Sequence, residues 1–212
     1  MPSKMKTMKA SEIRKKYDET ATGYDWKIAV FEKISGAGRL RRYLLSKARG
    51  NVLDVACGTG RNFPFYPKSC QITGIDLSPE MLEQARKRAD DLGVAVQLIA
   101  QDVERLDFSS QSFDTVVSSL AICTYPHPVE ALREMARVCK SDGQLLLLEH
   151  GRSSSKTLGK LQNMFAERFA EHSGCHINRE PLELAKSAGL EICSSRRSFL
   201  GILHTIEAKP CS

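Results

Sequence analysis

The chain has 212 residues, which is enough for one sizeable α/β domain and too few for two of ordinary size. Its net charge of +6 is uneven, because residues 1–50 hold 13 Lys and Arg against 5 Asp and Glu, whereas residues 51–150 hold 9 against 14. The basic N-terminal and C-terminal flanks contain no aromatic-rich basic strand, which argues against nucleic acid as a partner. Their charge is explained either by solvated helix faces or by attraction to anionic lipid.

Cysteine usage and hydropathy indicate a reducing compartment. The seven cysteines include no C-x-x-C pair, so neither a zinc site nor a disulfide framework is expected. The first residues lack the apolar core of a signal peptide, and no run of 18 apolar residues occurs in the sequence. These features predict a cytoplasmic protein without a bound metal, and peripheral contact with a membrane is an open alternative.

The N-terminal segment carries a helical pattern. From Ser11 onward, apolar side chains recur on one helical face, at Ile13, Tyr17, Ala21 and Tyr24. Gly23 weakens the prediction near the end of this helix. Residues 1–34 are therefore expected to form a helical cover, and plain amphipathic packing is the alternative. A second helix is predicted over residues 38–47, with inward side chains at Leu40, Tyr43 and Leu44.

A short apolar run over residues 52–56, followed by Gly58 and Gly60, predicts a buried strand that turns into a ligand-binding loop. The two glycines permit backbone angles closed to other residues, so a ligand can lie against the backbone there. The third glycine of a dinucleotide fingerprint is absent, which argues against a pyrophosphate-binding turn. Asp54 faces away from its apolar neighbours and offers a carboxylate to a ligand's ammonium. Residues 62–67 are expected to hold one helical turn.

Acidic residues end the next two predicted strands. The second strand, over residues 71–76, ends in Asp76, whose carboxylate can receive both hydroxyls of a ribose. Ser78 is expected to cap a helix that has Pro79 at its first position and Gly93 at its end. Asp102 follows a third strand over residues 95–101.

The alternation of strands and helices continues and predicts a parallel sheet with helices on both faces. A fourth strand is expected over residues 115–119 and a helix over residues 128–140. An Asp142–Gly143 turn then leads into a fifth strand over residues 144–149. Ligands of open α/β sheets bind beyond the carboxyl ends of the strands. One crevice is therefore predicted to gather the segments 58–60, 119–125 and 149–150 with Asp76 and Asp102.

The last third of the chain begins with a second amphipathic helix. Apolar side chains recur on one helical face at Leu158, Leu161, Phe165 and Phe169. This helix is expected to be a lid over the acceptor or a membrane-surface helix, and ordinary docking on the domain is the alternative. A helix over residues 181–189 follows. Residues 190–196 and 203–209 are predicted to close the sheet as an antiparallel pair.

The ordered motifs DVACGTG at 54–60, GIDLS at 74–78 and QDV at 101–103 resemble those of the class I S-adenosylmethionine-dependent methyltransferases. The resemblance extends over residues 17–209. It implies an α/β fold with a doubly wound, mostly parallel seven-stranded sheet of the Rossmann-like methyltransferase type. It also implies S-adenosylmethionine as the cofactor, bound by a single methyltransferase domain over residues 35–212.

The resemblance further implies roles for individual residues. Asp54 and the Gly58–Gly60 loop, with Ser119 nearby, would hold the methionyl end, and Asp76 would hold the ribose. Leu77 and Val103 would flank the adenine, and Asp102 would accept a hydrogen bond from the adenine amino group. The remaining expected cofactor-binding residues are Tyr17, Thr59, Asn62 and Met81. The catalytic candidates are His150, as a base or an acceptor ligand, and Tyr24; for His150, and for His176 and His204, a satisfied structural role is the alternative.

Within the class, the chain resembles the branch of the ubiquinone/menaquinone C-methyltransferases, the bacterial phosphatidylethanolamine N-methyltransferases and the mammalian thiol methyltransferase-like proteins. It lacks the Arg-Asn pair that the quinone enzymes carry after the fourth strand and reads AICTYP at 121–126 instead. LEH at 148–150 and GCHINRE at 174–180 are closer to the phospholipid and thiol enzymes. A small apolar or lipid-like acceptor is therefore expected, with a phospholipid amine favoured.

Other functions stay open. A thiol S-methyltransferase and a quinone C-methyltransferase are the enzymatic alternatives within the branch. A catalytically silent cofactor-binding protein and a nicotinamide-dependent oxidoreductase are alternatives of a different class. No protein or nucleic-acid substrate is expected, because no second recognition domain is evident and no Asn/Asp-Pro-Pro-Tyr motif follows the fourth strand.

Overall fold

The computed structural model describes residues 8–211, which form six α-helices and seven β-strands. The helices are α1 (Ala10–Ser35), α2 (Ala37–Leu45), α3 (Pro79–Leu92), α4 (Pro128–Val138), α5 (Lys156–Ser173) and α6 (Pro181–Ser187). The strands are β1 (Asn51–Val55), β2 (Gln71–Asp76), β3 (Val96–Ala100), β4 (Phe113–Ser119), β5 (Cys139–His150), β6 (Glu191–Ser198) and β7 (Leu203–Lys209). A 3₁₀ turn at Phe63–Phe65 supplies the single helical turn expected after the glycine loop.

The strands form one sheet in the order β3-β2-β1-β4-β5-β7-β6. Strands β1 to β5 run parallel, and β7 pairs antiparallel with both β5 and β6. Central strands of such a sheet are covered on both faces, so their sequences are almost continuously apolar. Leu145, Leu146, Leu147 and Leu148 of β5 are accordingly all fully buried. The predicted doubly wound, mostly parallel seven-stranded sheet is confirmed.

Local chemistry explains the best-predicted boundaries. The Ser78 hydroxyl accepts from the backbone N–H of Met81 at 3.1 Å and caps α3, with Pro79 at the first helical position. Gly93 ends α3 in the left-handed conformation, with φ of 63°. The bounds of β2, α3 and β7 agree with the predicted ones.

One predicted turn was wrong, and the glycine that weakened the prediction of the first helix does not interrupt it. Helix α1 passes through Gly23 and ends at Ser35, where Gly36 caps it with φ of 76°. The predicted turn at Asp142–Gly143 lies inside β5, which begins already at Cys139. A single glycine costs only about 1 kcal/mol in the interior of a helix that packs along its length. At Asp142–Gly143 the pairing of β5 with β4 is irregular, because Phe113 pairs with Cys139 and Thr115 with Gln144.

One predicted burial pattern was wrong, and in a second helix the structure shows which side chains are buried. Tyr43 was expected to face inward, but it is exposed, and the Lys47 ammonium lies 4.3 Å from the centre of its ring. In α5 the small residues Gly159, Ala166 and Ala170 are buried, whereas Leu161, Phe165 and Phe169 are about half exposed. Leu161, Phe165 and Phe169 therefore keep about half of their surface open to solvent. Across residues 8–211, no helix has the length and hydropathy to cross a membrane.

Candidate functional site

A cavity of about 740 Å³, partly open to solvent, lies at the carboxyl ends of the parallel strands. Nine of the residues expected at the cofactor or the reacting groups line it: Tyr17, Tyr24, Gly58, Asp76, Leu77, Met81, Asp102, Val103 and Ser119. Among the described residues, the other five expected ones are not part of this lining: Asp54, Thr59, Gly60, Asn62 and His150.

The Asp76 carboxylate joins the glycine loop to the start of α3. One oxygen accepts from the backbone N–H of Gly58 and the other from that of Ser78, both at 2.9 Å. Burial raises the pKa of Asp76 to about 6, although these two N–H groups counteract the rise. Each carboxylate oxygen can accept more than one hydrogen bond, so Asp76 retains capacity for the hydroxyls of a ligand.

The two glycines of the loop serve different purposes. Gly60 has φ of 76°, and a Cβ there would lie 2.4 Å from Cε2 of the buried Phe63, so this glycine is required by the packing of that ring. Gly58 has φ of 56°, and a Cβ there would meet no other atom of residues 8–211 within 4 Å. Since Gly58 lines the cavity, the space beside it is available to a ligand.

We expect Gly58→Ala to weaken binding of S-adenosylmethionine by roughly five- to a hundredfold, because an added methyl that intrudes on a packed ligand costs about 1–3 kcal/mol. Gly93→Ala is the matched control. Gly93 also has positive φ and, within the described part of the chain, no atom within 4 Å of a built Cβ, but it ends α3 away from the cavity. Both variants should lose about 1–2 kcal/mol of stability from left-handed strain. Calorimetry and urea denaturation measure the two effects, and equal affinity in both variants would contradict the assignment of Gly58.

Asp54 lies behind the glycine loop and is fully buried. Its Oδ1 accepts from the side-chain amide of Asn62 at 2.8 Å, whereas its Oδ2 has no hydrogen-bond partner among residues 8–211. Burial raises the pKa of Asp54 to about 7, and the Asn62 amide counteracts the rise. A nearby cation would stabilise the charged form of this carboxyl.

A buried ion-pair network fastens α1 to this loop, and sequence reasoning missed it. Arg41 of α2, only 4% exposed, donates to Asn62 and to Glu32 of α1. Arg61 of the loop also donates to Glu32. Burial alone would raise the pKa of Glu32, but the hydrogen bond from Arg61 and the charge of Arg41 outweigh it and lower the pKa. The sequence shows alternating charges along these helices, but it does not show which acidic side chain pairs with which basic one.

The network continues toward α3 through a second carboxylate of α1. Asp25 accepts from the Thr59 hydroxyl at 2.7 Å and from Arg88. Arg88 also donates to the Thr59 carbonyl at 3.0 Å. Thr59 thus positions the glycine loop against α1 and α3, and its side-chain oxygen is engaged within the protein.

Helix α1 forms one wall of the cavity. Tyr17 and Tyr24 lie 6.0 Å apart between ring centres and both line it, together with Ala10, Ile13 and Arg14. Burial raises the pKa of both phenols well above their ordinary value, so they stay protonated near neutral pH and are available as hydrogen-bond donors. Opposite α1, the Ser119 hydroxyl oxygen is buried without a hydrogen-bond partner in the described part of the chain.

A second buried carboxylate, Glu149, shapes the loop after β4. It accepts from the Ser118 hydroxyl at 2.7 Å and from the backbone N–H groups of Ala121 and Ile122 at 2.9 and 3.1 Å. Burial raises the pKa of Glu149 to about 7, and the Ser118 hydroxyl counteracts the rise. Glu149 therefore fixes the loop that carries cavity residues Ala121, Thr124 and Tyr125.

His150 follows Glu149 and lies beside the cavity instead of lining it. Its Nε2 is 3.2 Å from the Sγ of Cys175. Burial by itself lowers the pKa of His150, but the charge and hydrogen bond of Cys123 and the charge of Glu149 outweigh it, so the pKa is raised. His176 and His204 differ, because burial lowers the pKa of each to about 4 and keeps both rings neutral.

Comparisons with known proteins identify relatives of this chain. The family described as "Methyltransferase domain" matches residues 53–147. The phosphatidylethanolamine N-methyltransferase of Cereibacter sphaeroides is 34% identical over 82% of this chain and 87% of its own length. The mitochondrial methyltransferase OMS1 of Saccharomyces cerevisiae is 31% identical over 91% of this chain, which spans only 45% of that protein.

Solved structures share the fold at low sequence identity. A Thermotoga maritima protein, described as a SAM-dependent methyltransferase and "possible histamine N-methyltransferase", superposes with a TM-score of 0.69. It is 23% identical, and the match covers 92% of this chain and 99% of that one. This likeness supports the fold of the sheet and its flanking helices.

Proposed function

The chain belongs to the S-adenosylmethionine-dependent methyltransferases, and we propose that it methylates a small apolar or lipid-like acceptor, with the amine of a phospholipid headgroup favoured. Membership gives the cofactor and the type of reaction. The acceptor follows from the surface around the cavity, together with the relative that carries a phospholipid substrate in its name. A thiol and a quinone are the alternative acceptors.

The cavity fits S-adenosylmethionine. Open space at Gly58, the buried Ser119 hydroxyl and the lining carboxylates Asp76 and Asp102 suit a cationic ligand that carries hydroxyl groups. When bound, this cofactor supplies an electrophilic methyl group on a sulfonium. We assign Asp76 to the ribose hydroxyls, Leu77 and Val103 to the adenine faces, and Asp102 to its amino group.

The other expected cofactor residues take supporting roles in this proposal. Asp54, behind the wall of the cavity, supplies a negative charge opposite the cationic cofactor. The side-chain amide of Asn62 donates a hydrogen bond to its carboxylate. Thr59 and Gly60 set the shape of the loop through Asp25 and Phe63. Met81 is 1% exposed and packs at the start of α3, and Tyr17 packs over the cavity from α1. Orientation of two reactants in a dry site can supply roughly 7–11 kcal/mol of a methyl-transfer barrier.

The acceptor side is assigned to Tyr24 and His150. The raised pKa of Tyr24 makes its phenol a hydrogen-bond donor that orients the acceptor, not a base. His150 lies at the end of β5, where it can contact the acceptor or take its proton. Helix α1, which carries Tyr24, is proposed to cover the site; residues 1–7 of the predicted cover at 1–34 lie outside the described residues.

Exposed apolar stripes on two helices carry the lipid part of the proposal. Along α1, Trp26, Val30 and Ile34 recur every fourth residue and are 76%, 47% and 70% exposed. Along α5, Leu161, Phe165 and Phe169 recur in the same way. The two helices meet beside the cavity, where Lys16 donates to the carbonyl of His172 at 2.9 Å. Such stripes with basic neighbours suit contact with the interface of a membrane.

The test is methyl transfer from radiolabelled S-adenosylmethionine to phosphatidylethanolamine vesicles, alkyl thiols and quinols in separate assays. We expect transfer to the vesicles, rising with anionic lipid content and falling with salt, because surface attraction is screened within about 8 Å at physiological ionic strength. Transfer to thiols or quinols with none to vesicles would reject the phospholipid acceptor.

Phe165→Glu tests the apolar stripe directly. Loss of a buried aromatic contact costs roughly 1.5–3 kcal/mol, so vesicle activity should fall about ten- to a hundredfold while cofactor affinity stays unchanged. Leu92→Glu is the matched control, because Leu92 is 44% exposed but ends α3 away from the two stripes. Equal vesicle activity in the two variants would remove α5 from the membrane contact.

A further inference from the structure

Three side chains that can ligate a metal converge beside the cavity. Cys123 lies on the loop after β4, His150 is the last residue of β5, and Cys175 lies between α5 and α6. Their ligand atoms all lie within 4.8 Å of one another. Cys123 is 2% exposed and the other two side chains are partly buried. Three separate segments of the chain therefore present donor atoms to one point.

Backbone hydrogen bonds hold these segments together. The N–H of His176 donates to the carbonyl of Cys123 at 2.9 Å, which joins the two cysteine-bearing loops directly. Arg179 donates to the carbonyl of Ile122, and Glu149 accepts from the N–H of the same residue at 3.1 Å. The three donors are thus positioned by the folded chain before any ion binds.

We propose that Cys123, His150 and Cys175 form a zinc-binding site with three protein ligands and an open fourth position. Thiolate sulfur and imidazole nitrogen are the donors that Zn²⁺ prefers, whereas Mg²⁺ and Ca²⁺ prefer oxygen. Zn–S and Zn–N bonds of about 2.3 and 2.0 Å in a tetrahedron separate the donor atoms by roughly 3.5 Å. The 3.2 Å between Nε2 of His150 and Sγ of Cys175 is close to that separation.

The charges balance at such a site. Binding forms one Zn–N and two Zn–S bonds, and the two thiol protons pass to solvent. Two thiolates and one Zn²⁺ make a neutral centre, which limits the cost of placing charge in a buried location. Burial lowers the pKa of Arg179, and the charges of Cys123 and Cys175 counteract this lowering. The guanidinium therefore lies close to both cysteines.

Three protein ligands and one open position are the arrangement of catalytic zinc sites. The fourth ligand would be water or a soft donor atom of an acceptor, such as a thiolate. The inference rests on the proposed function only where it places Cys123, His150 and Cys175 on the acceptor side of the cavity. Zinc binding would decide between the two roles proposed for His150, contact with the acceptor and removal of its proton. A ring nitrogen bound to zinc is no longer available as a base.

The experiment uses the full chain, reduced, stripped with a chelator and titrated with Co²⁺ as a spectroscopic substitute for Zn²⁺. We expect one ion per chain, a thiolate-to-cobalt charge-transfer band and the intense visible bands of tetrahedral Co²⁺, followed by displacement with Zn²⁺. Cys175→Ser and His150→Ala should weaken binding at least ten- to a hundredfold, since even loss of a residue that only supports a ligand costs that much. Elemental analysis of the Zn²⁺-loaded protein gives the stoichiometry independently.

Cys193→Ser and Cys211→Ser are the matched controls, because both cysteines are exposed and lie outside the cluster. They should bind Co²⁺ as the parent protein does. Unchanged circular dichroism shows that Cys175→Ser, a change at a partly exposed position, remains folded. Absence of the tetrahedral spectrum, an equal spectrum in Cys175→Ser, or a Cys123–Cys175 disulfide in place of metal would each overturn the zinc site. Since no acceptor is used, this failure is distinct from failure of the vesicle assay.

Discussion

Glu32→Ala should lower the free energy of unfolding by about 3–5 kcal/mol, because removal of one partner from a buried ion pair leaves an uncompensated charge. Glu32 is 9% exposed and Arg41 4% exposed, so water cannot replace the lost carboxylate without opening the interface. Arg61 would lose the same partner and keep only its longer contact with Asp25, at 3.4 Å. The effect should appear first as release of α1 from the glycine loop.

Urea denaturation measures the loss of stability, and hydrogen exchange over residues 10–35 shows whether α1 is released. Glu19→Ala is the matched control on the same helix. Glu19 is exposed and, within residues 8–211, forms no ion pair, so its removal should change stability by less than about 0.5 kcal/mol. A loss below 1 kcal/mol in Glu32→Ala would mean that the network contributes no more than a surface ion pair does.

Asp76→Asn should weaken binding of S-adenosylmethionine roughly ten- to a hundredfold, because hydrogen bonds to a charged group contribute about 1.5–3 kcal/mol. The amide keeps the size of the side chain but has only one acceptor oxygen, so it cannot receive the N–H groups of both Gly58 and Ser78 and also serve a ribose. Calorimetry at pH 7 measures the change. Asp90→Asn, an exposed position on α3, is the control and should bind as the parent protein does.

The pH dependence of the affinity provides a second measurement on the same variant. The pKa of Asp76 is about 6, so its carboxylate gains a proton as the pH falls from 7 to 5 and becomes a poorer acceptor for hydroxyl groups. Affinity in the parent protein should therefore decline over this range. Asp76→Asn should lose that part of the decline and keep only a part centred near pH 7, to which Asp54 and Glu149 contribute. An unaltered pH profile would argue against ribose binding by Asp76.

Local patterns were sufficient for most of the secondary structure. Ser78, Pro79 and Gly93 delimit α3 because capping and left-handed ends depend only on residues within one turn. The apolar runs of β1 and β5 predict buried central strands for a similar reason, since burial on both faces needs no partner to be specified. Gly23 weakened the prediction of α1 but does not interrupt the helix, because its cost in a helix interior, about 1 kcal/mol, is exceeded by packing along the rest of the helix.

The sequence also predicted which residues would gather at the cavity, as far as they follow strands. Gly58, Asp76, Asp102 and Ser119 each come at or just after the end of a parallel strand, and the carboxyl ends of such strands share one edge. Register adds detail that the pattern lacks, since Asp54 lies beside Gly74 on one neighbour and Val117 on the other. Asp54 lies behind the wall of the cavity because of this position between the two neighbouring strands.

By itself, the sequence determined the order of strands and helices, the cofactor and the carboxylates that line the cavity, because these depend on short-range periodicity and on motifs of a few residues. Only the tertiary structure decided which distant charges pair and which thiols meet. Glu32 with Arg61, and Cys123 with His150 and Cys175, are 25 or more residues apart, and no local rule specifies such contacts. They form where the chain, folded into the sheet order β3-β2-β1-β4-β5-β7-β6, brings separate loops and helices to the same edge.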